Sequence, residues 1–155
     1  MTTKTIPEFT SARPQDAGPI RDLVRAAYQR WVPVIAREPR PMVADYEKAV
    51  RDHQIDLAHL DGRLVGLIET IPRGDHLWIE NVAVHPDAQG NGLGKALLAR
   101  AEAKATAASL PETRLLTNAA FEANIALYEK IGYVITLSEP FMGGTTIHMT
   151  KRLAP

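Results

Sequence analysis

The chain contains no cysteine. That excludes disulfides, thiolate metal sites and a cysteine nucleophile. It also lacks an excess of charge, since 18 basic and 18 acidic residues give a formal net charge of +0. A nucleic-acid partner normally demands a basic excess or stripe, so none is expected. No apolar run approaches the ~20 residues of a membrane-spanning helix. The opening MTTKTIPEFT has no apolar segment of the secretory kind. Repeats, low-complexity tracts and linkers are missing as well. What remains is an ordinary globular composition, 45% hydrophobic and 23% charged over 155 residues. That is enough for one domain with its own core. The expectation is a cytoplasmic protein folded as a single domain over residues 1–155, with no membrane partner.

Periodicity and turn residues divide the chain into alternating strands and helices. Ile6 to Ala12 reads as a first strand, with Pro14 starting a helix, where its missing N–H goes unneeded. From Ile20, apolar residues recur at Leu23, Val24, Ala27 and Tyr28, the helical period, until Pro33 ends the pattern. Pro33, Pro39 and Pro41 forbid a continuous helix from Trp31 to Met42. A short helix follows from Asp45 to Asp52, capped by Asp45 or Ala44. Ile55–Leu60 and Leu64–Ile71 flank Asp61-Gly62, a hairpin signal. Leu77–Val84 is the next strand, Gly92–Ala108 a helix, Arg114–Asn118 a strand, and Glu122–Ile131 a helix capped by Gly132. Tyr133–Leu137 and Thr145–Lys151 close the chain around a turn at Gly143-Gly144. This order, hairpins early and strand–helix units late, predicts one mixed α/β sheet with helices packed on it.

The stretch LWIENVAVHPDAQGNGLGKALL, Leu77 to Leu98, is the most informative. It reads as an apolar strand, a turn, a glycine-rich loop and a helix. Bare N–H groups at a helix N-terminus bind phosphate. Two familiar phosphate loops do not fit. The P-loop needs a Gly five residues before its Gly-Lys pair and Ser or Thr after it, where Gln89 and Ala96 stand. The dinucleotide fingerprint needs a third Gly where Lys95 stands.

The pattern that fits is Q-x-x-G-x-G, Gln89 to Gly94. It resembles the pyrophosphate-binding motif of the GNAT (GCN5-related N-acetyltransferase) superfamily. The strand ending Val84-His85-Pro86 and the later NIALYEKIGY, Asn124 to Tyr133, resemble that superfamily's flanking segments, in order and separation. The resemblance implies a GNAT-type fold: a mixed, largely antiparallel sheet of about seven strands with about four helices. It implies acetyl-CoA as the cofactor. The pyrophosphate would meet the N–H groups of Gly90, Asn91, Gly92, Gly94 and Lys95, with Gln89 adding a side-chain donor. In the superfamily the strand before the loop splays from its neighbour, so the backbone of Val82, Ala83 and Val84 would pair with the pantetheine amides. Asn118 and Asn124 are further amide partners. Many members carry Asn seven residues before the helix Tyr; here that residue is Phe121. Read without this resemblance, the glycines could simply cap a helix.

Acetyl transfer to an amine requires removal of a proton from the amine, polarisation of the thioester and stabilisation of the departing thiolate. Glu80 is the candidate base. It is the one acid in its strand, and alternation would put Trp78, Glu80, Val82 and Val84 on one face. Polyamine acetyltransferases of the superfamily have a Glu at the matching position. A solvated or Arg-paired acid is the alternative. Tyr128 is the candidate acid, because the superfamily's Leu-Tyr-Glu helix aims this hydroxyl at the coenzyme sulfur. It also shares a helical face with Ile125 and Ile131, as a core tyrosine would. His76, near the Glu80 strand, is a weaker second base, and no histidine pair has metal-ligand spacing. Trp31, Arg37 and Glu38 are candidate substrate contacts, in the connection that covers the acceptor site in the superfamily; the segment also contains Arg40 and three prolines.

The resulting expectation is an N-acetyltransferase acting on a small-molecule amine by direct attack in a ternary complex. Acetylation of a protein N-terminus or lysine is an alternative, weakened because ribosomal-protein acetyltransferases have a Glu where Leu116 stands. A non-catalytic acetyl-CoA-binding module is the third. A homodimer is possible, since dimers are frequent in the superfamily.

Overall fold

The computed structural model describes residues 6–154. Seven strands form one sheet: β1 (Glu8–Ser11), β2 (Gln54–Leu60), β3 (Arg63–Pro72), β4 (Leu77–Val84), β5 (Glu112–Asn118), β6 (Val134–Phe141) and β7 (Gly144–Arg152). Their spatial order is β1-β2-β3-β4-β5-β7-β6. Every pairing is antiparallel except β4 with β5. Four helices of seven residues or more pack on it: α1 (Ala17–Tyr28), α3 (Tyr46–Asp52), α4 (Leu93–Ala107) and α5 (Glu122–Ile131). A single turn, α2 (Val32–Ile35), lies between α1 and α3. The mixed seven-stranded sheet matches the expectation. At the β6–β7 hairpin the turn residues are Met142 and Gly143, both at positive φ, while Gly144 already belongs to β7.

The helices form where apolar spacing gave them a face to bury. α1 buries Ile20, Leu23, Val24 and Ala27 on one face of the sheet, against Leu57, Leu67 and Ala83. Asp45 caps α3, its carboxylate accepting the Lys48 N–H at 3.1 Å and satisfying an otherwise orphaned donor. α4 buries Leu93, Leu97, Leu98 and Ala101 on the opposite face, with Ile68, Ile79 and Met149. Pro33 does not end α1, which already stops at Tyr28. It sits in the first turn of α2, where proline is tolerated.

β4 departs from simple alternation. Asn81 pairs with Glu69 and Ile79 with Thr70, so Glu80 is an extra residue in a β-bulge. Val82 and Val84 therefore share a face with Ile79, opposite Ile68 and Gly66, whereas Trp78 shares the other with Asn81 and Ala83. The expectation of one face holding Trp78, Glu80, Val82 and Val84 is overturned, because the bulge inserts one residue into a period of two. β5 pairs with β4 only at Leu77–Thr113 and Trp78–Arg114. From Ile79 onward, among the described residues, β4 pairs with β3 alone.

Leu97 is 0% exposed at the centre of the α4 core. Leu97→Ala should lower unfolding stability by about 2–5 kcal/mol, read as a shifted midpoint in urea, through lost burial and a residual cavity.

Candidate active site

The parting of β4 and β5 leaves two connected cavities. The smaller, about 360 Å³, runs along β4 to the glycine loop and the start of α4. Gly90 (φ +84°) and Gly92 (φ +74°) take left-handed conformations that side chains resist. They turn the loop so that Gly92 precedes the first turn of α4. Among the described residues, the N–H groups from Gly90 to Lys95 have no bonding partner within the chain. Unpaired donors at the head of a 15-residue helix suit an anion. Gln89 donates from Nε2 to the Val84 carbonyl at 3.3 Å, and Arg30 donates to Gln89 Oε1 at 3.4 Å. Lys95 and Arg30 put positive charge along this groove.

The larger cavity, about 680 Å³, has Glu69, Glu80 and Asn81 of β3 and β4 as its floor. The α2–α3 connection supplies Arg37 and Arg40, and the start of α3 supplies Tyr46. Leu116, Asn118 and Phe121 come from β5 and the turn after it, and Phe141 from the end of β6. Tyr28, Val82, Asn124 and Tyr128 line both cavities, so the two meet at these residues.

Glu80 projects from the bulge, and its Oε2 accepts the Trp78 indole N–H at 2.8 Å. Tyr128 lies in the α4 core beside Tyr133, at 5.9 Å between ring centres. Its hydroxyl has no hydrogen-bond partner among the described residues, and burial lifts its pKa to about 12. A packed ring thus places a free hydroxyl where the cavities join.

Sequence reasoning missed a polar network under the floor. Glu69 is 3% exposed, and its Oε2 is 2.6 Å from His53 Nδ1. Burial raises the Glu69 pKa above its ordinary 4.5, opposed in part by His53. Asn81 accepts from the Tyr28 hydroxyl at 2.8 Å and donates to the Tyr46 hydroxyl at 3.2 Å. Burial also raises both of these phenols. The signal that marked Glu80, an acid among apolar strand residues, applied equally to Glu69 in LVGLIET.

The structure brings several of the candidate residues together around the cavities. Val82, Ala83, Val84, Gln89, Gly90, Gly92, Gly94, Lys95 and Asn124 line the groove, and Arg37 and Arg40 the larger cavity. Others are placed differently. Trp31 lines the groove instead of the larger cavity, stacked on Phe121 at 4.4 Å with Arg30 over its ring. Glu38 lines neither cavity and binds Arg25 at 2.9 Å. The Asn91 side chain donates to the Ala88 carbonyl, and Asn118 lines the larger cavity while its Oδ1 caps the Ala120 N–H. His76 lies on the β3–β4 turn against Asp75; His53 is the histidine in the cavity wall.

A mixed sheet opened beside its central strand, with a glycine loop at the head of the following helix, defines a class of transferase folds. The chain belongs to the acetyltransferase (GNAT) family, whose model matches residues 19–133. An acetyltransferase of Pectobacterium atrosepticum is 33% identical over 85 residues, 53% of this chain and 60% of that protein. The chain thus matches about three-fifths of that relative's length. In fold it resembles the PaiA N-acetyltransferase of Thermoplasma acidophilum solved with coenzyme A, with TM-score 0.77 and 17% identity over 96% of this chain and 99% of that one. It also resembles the ribosomal-protein-S18-alanine N-acetyltransferase of Escherichia coli, with TM-score 0.77 and 20% identity over 97% and 96% of the two chains.

The raised pKa of Glu69 sets a sign for stability. Its protonated form is favoured by folding, so that contribution is full below the unfolded carboxyl value and is lost as pH rises through the folded one. Urea unfolding of Glu69→Gln beside the wild type from pH 4 to 8 should show the difference moving in the variant's favour as pH rises. A constant difference would contradict the burial argument.

Proposed function

We propose that the protein is an N-acetyltransferase that moves the acetyl group of acetyl-CoA to a primary amine of a small molecule, by direct attack in a ternary complex. The observation that carries this reading is the junction of the two cavities at Tyr28, Val82, Asn124 and Tyr128. One cavity has an anion cradle at its far end, the other a carboxylate floor. The residues present fit coenzyme A. The free N–H groups from Gly90 to Lys95 would take the pyrophosphate, with Arg30 and Lys95 nearby. The unpaired edge of β4 around Val82 to Val84 would take the pantetheine amides, and Asn124 is placed to add a side-chain bond.

In the proposed reaction the acceptor ammonium gives a proton to Glu80, directly or through one water, which frees the nitrogen lone pair. The nitrogen attacks the thioester carbonyl, the new C–N bond forms and the C–S bond breaks. The electron pair leaves on sulfur, and the second proton of the attacking nitrogen passes through solvent to the thiolate, so the products are a neutral amide and the coenzyme thiol. Tyr128 donates a hydrogen bond to that sulfur. With the phenol at about 12 and an ordinary thiol near about 8.5, full proton transfer from Tyr128 is uphill. Its role is therefore to stabilise the thiolate more than to protonate it. No covalent enzyme intermediate is needed.

Calorimetric titration should show selective binding of acetyl-CoA, with NADH and ATP as controls. An amine and peptide screen then separates small acceptors from protein ones. Glu80→Gln and Tyr128→Phe should each lower kcat by about 100-fold or more while acetyl-CoA affinity stays within about threefold. Wild-type rates in both variants would overturn the residue roles.

A further inference from the structure

Among the described residues, five of the twelve arginines hold a carboxylate and three others share one cavity, while Arg13, Arg30, Arg51 and Arg152 hold no carboxylate and lie outside that cavity. Arg21, Arg25, Arg63, Arg100 and Arg114 each hold a carboxylate at 2.8–3.4 Å, and none of them lines either cavity. Arg37, Arg40 and Arg73 all line the larger cavity, and among the described residues none has a carboxylate within ion-pair distance. Arg37 is half-buried, its guanidinium 5.7 Å from the centre of the Phe141 ring. Arg73 lies 6.0 Å from the Trp78 ring, and the indole of that ring holds Glu80.

The other charges at this cavity are already engaged. Lys48 meets Asp52 at 3.2 Å, and Asp45 caps α3. The cavity therefore sets the exposed Glu80, with the buried, His53-bound Glu69 beside it, against three guanidiniums that hold no carboxylate among the described residues. An acceptor that is only an amine leaves the guanidiniums without a partner. A dicationic amine is repelled by them. A guanidinium fork matches a carboxylate or a phosphate in two parallel hydrogen bonds, which an ammonium cannot offer.

We infer that the acceptor is a zwitterion: a small primary amine that also carries a carboxylate or phosphate. Its amine lies toward Glu80 and Glu69, and its anion toward Arg37, Arg40 and Arg73. The inference rests on the acetyltransferase reading above and names the substrate class of that same site.

The test compares acceptors differing only in the anionic group, followed by release of coenzyme A thiol. The arms are common amino acids against their amides, phosphoethanolamine against ethanolamine, and putrescine as a dication. At least one anion-bearing acceptor should exceed its uncharged counterpart in kcat/KM by about tenfold or more, and which pair does so separates carboxylate from phosphate. Arg37→Ala and Arg73→Ala should shrink that ratio by about tenfold, whereas Arg51→Ala, which removes a charge outside the cavity, should preserve it. Equal or better use of amides, ethanolamine or putrescine would overturn the inference and leave acetyl transfer intact. So would an unchanged ratio in Arg37→Ala and Arg73→Ala. If the protein binds acetyl-CoA but acetylates no amine, the inference falls together with the reading it rests on.

Discussion

One extra residue in one strand organises this molecule. Glu80 has no partner on β3, so the alternation of β4 flips there and the strand bends. Two residues earlier, β4 stops pairing with β5. A continuous ladder would bury the backbone of Ile79 to Val84 between two strands. The break leaves one edge of that backbone open to a ligand and turns the sheet's centre into a cleft. Both cavities depend on that opening, since Val82, Asn124 and Tyr128 form their common wall. The bulge also releases Glu80 from the pleat and lets the Trp78 indole hold its carboxylate. A strict strand would send that side chain into a packed face or leave it in open solvent.

Burial then assigns protonation states. Tyr28, Tyr46, Tyr128 and Tyr133 all have raised pKa values, chiefly because a phenolate would be stranded in apolar surroundings. These four hydroxyls are thus fixed donors at neutral pH. Tyr28 and Tyr46 spend theirs inside the protein, on Asn81, Val82 and Pro41, and Tyr133 shares its own with Thr113. Tyr128 alone of the four keeps its hydroxyl uncommitted among the described residues, and it does so where the cavities meet. The same desolvation raises Glu69, while the exposed Glu80 stands above it on the same floor. Two carboxylates at one cavity thus differ sharply in burial.

The fold was largely legible in the sequence because its signals are local. The Asp61-Gly62 turn, the apolar period of α1 and the glycine at the end of α5 each act over a few residues. The bulge was not legible, because nothing in WIENVAV marks the residue that β3 will skip; that depends on a register set by the partner strand. The placement of Trp31 escaped for a related reason. Its aromatic partner, Phe121, is far away in sequence and meets it only when the turn after β5 closes beside α2. Separation in the chain also hid Glu69 with His53, since strand β2, the hairpin turn and the start of β3 lie between them. Gly90 and Gly92 were readable because their left-handed backbone is a requirement that glycine alone meets cheaply.

This contrast explains why the family is easier to read than the acceptor. The groove is built largely from backbone groups: the N–H row at the head of α4 and the free edge of β4. Such groups need only a glycine-rich loop and one strand–helix unit, which occupy contiguous sequence. The larger cavity is built from side chains dispersed over most of the chain, from Tyr28 and Arg37 through Glu69, Glu80 and Asn118 to Phe141. No short motif records such a set, and each member alone has an ordinary surface or core explanation. Only the fold reveals that Arg37, Arg40 and Arg73, none with a carboxylate partner among the described residues, line the same cavity as two acids. A site read by backbone can keep one ligand through wide changes of sequence, whereas a site read by dispersed side chains changes its ligand with a few substitutions. In a fold organised this way, the arrangement of free charges in the second cavity is the physical record of what the first cavity's ligand is brought to meet.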